Sequence, residues 1–151
     1  SQKSWCFLMS KTFSELTFEE IQIGQKEEFQ VRITESLVND FAKLSGDYNP
    51  LHMDAKYAKS TQFRGRVVHG MLLATFLSRM VGMHLPGKNA LYLSQSLEFR
   101  NPCFLNDEII ISSIVIDKSN STKIIKIEST IRNKNNEILL NGMGKIILRD
   151  D

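Results

Sequence analysis

The sequence predicts an α+β protein in which a curved antiparallel sheet is wrapped around one long apolar helix, and three observations predict it. Beyond residue 90, apolar and polar residues alternate with period two in four segments, 91–100, 108–117, 122–132 and 137–148, as in strands with one buried face. Turn formers separate them at Asn101-Pro102, Ser119-Asn120-Ser121 and Asn133–Asn136, so the connections are short and the sheet is antiparallel. Upstream, the run His69–Leu85 carries one charge, Arg79. It reads as a buried central helix, apolar nearly all round, that covers the inner face of the sheet.

The remaining elements follow in order. Residues 1–14 lack acids and hold the short apolar run Trp5-Cys6-Phe7-Leu8-Met9, too short for a signal-peptide core or a bilayer span. They read as an N-terminal tail, either an extension ahead of Met9 or the remnant of a targeting segment, with a single domain over 15–151. Glu28–Ile33 alternates as a half-buried strand. Thr34 is placed to cap a helix carrying Leu37, Val38, Phe41 and Leu44, and Gly46 to stop it. A loop follows from Asp47 to Leu51, then a short helix capped by Asp54, and Pro86-Gly87 ends the central helix.

A chain of 151 residues, 42% of them hydrophobic, builds its own core without a structural metal or disulfide framework. Nineteen basic and 17 acidic residues leave a net charge of only +2, which argues against a nucleic-acid partner. No segment is long and apolar enough to point to a membrane. Cys6 and Cys103 form no CxxC pair, which fits a reducing compartment such as the cytoplasm, a mitochondrial or other organelle location staying open.

The residues suited to chemistry fall in two clusters. In Ser45-Gly46-Asp47-Tyr48-Asn49-Pro50-Leu51-His52, an acid, an amide and an imidazole sit within six positions on a loop stiffened by proline. Asp47 and His52 could share one water, one group removing a proton and the other delivering one. The same residues also make ordinary turns, and a lone histidine is commonly structural. In Arg66-Val67-Val68-His69-Gly70-Met71, Gly70 opens the central helix, where free N–H groups stabilise negative charge. Alternatively Gly70 is small only for packing, with His69 capping or packing. Ser78 either bonds back to its own helix or faces the site. His52, His69 and His84 lack the spacing of a metal site, so no metal is expected.

The segments 41–54, 67–74, 85–88 and 91–99 together resemble the MaoC-like hydratase/dehydratase family, specifically the (R)-specific enoyl-CoA hydratases. The resemblance implies a hotdog fold, a homodimer with sheets paired edge to edge, and reversible hydration of a trans-2-enoyl thioester. By motif, Asp47 and His52 would be the catalytic dyad, the Gly70 amide would hold the thioester oxygen, and Asn49 would orient the dyad or the water; Asn49 and, from its place on the apolar helix, Ser78 are the candidate substrate-binding residues. No cofactor is implied beyond the substrate's own handle, coenzyme A or the phosphopantetheine of an acyl-carrier protein. Arg64, Arg66, Lys88 and Arg100 either meet that handle or are solvated surface. Leu72, Phe76 and Met80 are expected to line the acyl pocket. Thioester hydrolysis, or acyl-thioester binding without catalysis, are the alternatives the same fold allows.

Overall fold

Alternation fixes the sheet. The computed structural model describes residues 12–151, and Cys6 with the rest of 1–11 lies outside the described residues. Strand β1 (Lys26–Arg32) alternates exposed and half-buried positions along its length. The long strands β4 (Glu108–Ser119), β5 (Ile124–Asn133) and β6 (Ile138–Leu148) form a meander. Strand β1 pairs with β4, and β2 (Ala90–Gln95) and β3 (Glu98–Phe99) both pair with β6, giving the antiparallel order β1-β4-β5-β6-β2. Ile109, Ile111, Val115, Ile125, Ile127 and Ile131 project inward and are fully buried. Register shifts at Val115/Asp117, Ile131/Arg132 and Tyr92/Ser94 insert bulges, which bend the sheet around its filling.

The single expected strand 91–100 is in fact two, because the Ser96 hydroxyl and backbone take over the pairing. Ser96 N–H donates to the Met143 carbonyl at 2.8 Å, and Met143 N–H donates to Ser96 Oγ at 2.9 Å. That crossing requires glycine at 142, where an added Cβ would lie 1.9 Å from the Ser96 carbonyl oxygen.

Helix α1 (Glu35–Ser45) has the expected caps. Thr34 Oγ1 accepts from Leu37 N–H, and Gly46, at φ +80°, donates to the Ala42 carbonyl. Two short helices follow, α2 (Pro50–Met53) and α3 (Ala55–Ser60), the latter capped by Asp54 as expected. The central helix α4 (Gly70–Arg79) buries Leu72, Leu73 and Leu77 against the sheet and runs into a π-helical turn, Met80–His84, before Pro86. It is not enclosed on every side: Met71, Thr75, Ser78 and Arg79 form an exposed face. Ser14, the last residue of the expected tail, is tied to the domain by backbone bonds to Met83 and Lys88. Among the described residues, no helix is long and apolar enough to cross a membrane.

Candidate active site

The loop after α1 is built from short-range side-chain bonds. Asp47 Oδ1 accepts from Asn49 N–H at 3.1 Å, and Asn49 Oδ1 accepts from Leu51 N–H at 3.0 Å. Asn49 therefore caps α2, so the expected loop already turns helical at Pro50 and presents His52 at a fixed point. Arg66 locks this arrangement from below. Its buried guanidinium donates to the His52 carbonyl at 2.6 Å, to Glu35 at 2.9 Å and to Asn39 at 3.0 Å, joining α1 to α2. Arg66 is thus neither solvated surface nor free for a substrate handle.

Asp47 Oδ2 lies 4.0 Å from His52 Nε2, with the carboxylate half-exposed and the imidazole mostly covered. His52 Nδ1 is 2.6 Å from the Val67 carbonyl oxygen. A carbonyl only accepts, so Nδ1 carries the hydrogen and the Nε2 lone pair of the neutral ring is left facing Asp47. At that separation each group reaches one shared water at ordinary hydrogen-bond length.

His69 lies against this pair. It is 2% exposed, its ring stacks on His52 with centroids 4.0 Å apart, and its Nε2 donates to the Asp47 main-chain carbonyl at 2.9 Å. Burial holds its pKa below the usual histidine value, against the opposing pull of the Asp47 hydrogen bond. The next residue, Gly70, is the first of α4, so its N–H has no acceptor within the helix. Gly70 and His52 share a cleft of about 430 Å³ with Val67, Phe99, Pro102 and Leu139. The Phe99 ring rests on the Gly70 Cα, where a Cβ would stand 2.7 Å from two ring carbons.

The structure gathers Asp47, His52 and Gly70 into one place, as the sequence leads one to expect, and sends Ser78 elsewhere. Ser78 borders a second cleft of about 340 Å³, with Ala74, Tyr92, Leu93 and Gln95, and does not line the cleft that holds His52. Asn49 spends its side-chain oxygen on the cap. Leu72 and Met80 are packed into the core, and Met71 and Leu73 line the His52 cleft in their stead; Phe76 lines neither cleft. Of the remaining basic candidates only Arg100 borders the His52 cleft, paired with Glu98 and bonded to Asn141. Cys103 also borders it, but burial pushes its thiol up to about 12, which disqualifies it as a thiolate nucleophile. Sequence reasoning read His69 only as a capping or packing group, and its local signal for more is its place directly before Gly70.

Asp47, His52 and His69 bring ligand atoms within 4.8 Å of one another. The two imidazoles are stacked, however, so an ion bound to both would sit out of both ring planes, away from the lone pairs. The set suits proton transfer better than a cation.

A bent sheet around a helix whose first residue shares a cleft with the His of an Asp–His pair is a hotdog fold carrying a candidate acid–base site. The chain belongs to the MaoC-like domain family, whose model, described as MaoC like domain, matches residues 18–137. It is 44% identical over 94 residues to the (R)-specific enoyl-CoA hydratase of Aeromonas caviae, covering 62% of this chain and 70% of that protein. Against the mitochondrial 3-hydroxyacyl-[acyl-carrier-protein] dehydratase of Arabidopsis thaliana it is 35% identical over 114 residues, 74% of this chain and 68% of the other. Its structure superposes on the unliganded R-hydratase PhaJ1 from Pseudomonas aeruginosa with a TM-score of 0.88 and 32% identity, covering 92% and 89% of the two chains.

Proposed function

We propose that the protein is a hydro-lyase that adds water reversibly across a trans-2-enoyl thioester to give the (R)-3-hydroxyacyl thioester. The observation that carries this reading is the His52 Nε2 lone pair held 4.0 Å from Asp47, beside a cleft bordered by the free amide of Gly70. The names of the relatives support the same chemistry.

In the hydration direction His52 Nε2 takes a proton from water as the water oxygen bonds to C3. The displaced electron pair moves onto the thioester oxygen, where the Gly70 N–H and the positive end of α4 meet the charge. The pair then returns a proton to C2, the enolate collapses, and the site regains its starting protonation. Asp47 fixes the water and carries part of the proton traffic. Asn49 acts by holding α2, and Ser78 would meet substrate only beyond the His52 cleft.

No separate cofactor takes part; the handle is coenzyme A or an acyl-carrier phosphopantetheine. The functional unit is a homodimer joined along the edge strand β2, where Leu91 and Leu93 stand exposed and Leu93 shares a cleft with Met71. Residues 15–151 act as one domain, and the free buried thiol of Cys103 suits the reducing cytoplasm or an organelle matrix.

The test is the loss of enoyl absorbance with crotonyl-CoA and a longer enoyl-CoA, with thiol release and product chirality followed in parallel. Absorbance loss without thiol, giving the (R)-alcohol, is expected. Thiol release would replace hydration by hydrolysis, and no turnover of either substrate would overturn the enoyl-CoA assignment.

A further inference from the structure

We propose that His69 is a positioning residue for the Asp47–His52 pair, its ring clamped between the face of one group and the main chain of the other. This inference rests on the hydratase reading. His69 occupies the position that ordinarily caps a helix, yet its side chain makes no cap bond to α4. The imidazole instead turns to a carbonyl 22 residues earlier in the chain and lies flat on His52. One side chain thereby sets both coordinates of the pair: the height of the His52 ring and the path of the loop that carries Asp47.

The remaining nitrogen strengthens the case. Because Nε2 must donate to the Asp47 carbonyl, Nδ1 of neutral His69 holds a lone pair, and it is buried without a hydrogen-bond partner among the described residues. A ring kept only for packing would be better satisfied as an apolar one. The groups facing His69 are His52, Asp47 and Arg66, with Phe41 closing the far side at 4.8 Å between centroids. Arg66 and a protonated His52 both oppose a charge on His69, which burial also disfavours, so His69 stays neutral when His52 accepts its proton. The pair then cycles through one positive charge rather than two.

The test compares wild type with His69→Phe, which keeps an aromatic ring under His52 but cannot donate, and His69→Gln, which can donate to the Asp47 carbonyl. With the enoyl thioester, His69→Phe is expected to lose ~10–100-fold in kcat, the scale set by ångström-level misplacement of a reacting group, with KM little changed. His69→Gln should recover much of that loss. Wild-type kcat in the Phe variant, or a Gln variant no better than Phe, would overturn the proposal. Nitrogen NMR of the wild-type protein, which has only three histidines to assign, is independent of turnover. His69 should be neutral with hydrogen on Nε2 at neutral pH, and a protonated ring or the opposite tautomer would also overturn it. Absent wild-type turnover, the enoyl thioester reading fails by itself while the NMR result still decides the geometry, and the same holds if His69→Phe does not fold.

Discussion

Proline at position 70 isolates a single hydrogen atom. Gly70 is the first residue of α4, a position where proline's fixed φ and missing N–H are tolerated. His69, at φ −55° and ψ 127°, already has the extended backbone that a following proline demands. Gly70→Pro should therefore leave the helix intact while deleting the proposed donor to the thioester oxygen. Proline also adds a Cβ 2.7 Å from the Phe99 ring, which must retreat by about 0.8 Å to reach ordinary contact. Phe99 is 53% exposed, so it has room to swing outward at small cost in stability. Gly70→Ala carries the same Cβ and keeps the N–H, which makes it the control. The alanine variant should lose activity through crowding of the cleft; the proline variant should lose a further ~10²–10³ in kcat, the usual effect of removing one oxyanion donor. The assay is steady-state hydration of an enoyl thioester by both variants, with circular dichroism to confirm folding. Equal kcat in the folded proline and alanine variants would refute the role of the Gly70 amide.

Three further outcomes are expected. Asp47→Asn and His52→Ala should each cost about 10²–10⁴ in kcat, Asp47→Asn with a thermal midpoint close to wild type because the amide keeps an oxygen for the Asn49 N–H, and His52→Ala with a lower one because it deletes a mostly covered ring stacked on His69 and bonded to the Val67 carbonyl; retention of more than a tenth of the activity in either would remove that residue from the dyad. Gly142→Ala places a methyl 1.9 Å from the Ser96 backbone oxygen, where only main-chain movement makes room; a loss of roughly 2 kcal/mol or more, read as a lower urea midpoint at unchanged slope, is expected, and an unchanged midpoint would contradict the tight crossing of β2 over β6. The depressed pKa of His69 means that the unfolded chain takes up a proton near pH 6.5 that the folded chain resists. Stability should accordingly fall as pH drops below about 6.5 and level off once folded His69 is protonated, and His69→Phe should flatten that limb of urea midpoint against pH.

Local bonds were legible in the sequence. Thr34, Gly46 and Asp54 act within three or four residues of themselves, so both ends of α1 and the start of α3 follow from residue type and spacing; α2 was read as loop, because Asn49 read as a substrate contact rather than the cap it is. The Asp47–His52 spacing was legible for the same reason, since the loop residues Asp47–Asn49 and the single turn of α2 suffice to bring them together. What was illegible spans longer loops. Arg66 reads as surface charge until Glu35 and Asn39 are folded over it, 31 and 27 residues away. His69 reads as a cap until Asp47 comes within reach, 22 residues back. The apolar run from His69 suggested a helix enclosed all round, because composition does not say which neighbours arrive; a face bearing Met71, Thr75 and Ser78 stays open in the single chain. Ser78 was placed with Gly70 by sharing a helix, but the two residues border different clefts.

The Val67 carbonyl explains how one ring can serve both directions of a reversible hydration. In the neutral ring, Nδ1–H donates to Val67 and Nε2 is the base. When Nε2 gains a proton, Nδ1–H remains, and the same carbonyl bond becomes charge-assisted and stronger. The imidazole has no need to flip or change partners between accepting a proton from water and donating one to a departing hydroxyl. Microscopic reversibility then requires dehydration to retrace these steps from the same resting site, the Asp47–His52 pair taking the C2 proton and His52 Nε2–H delivering one to the departing hydroxyl.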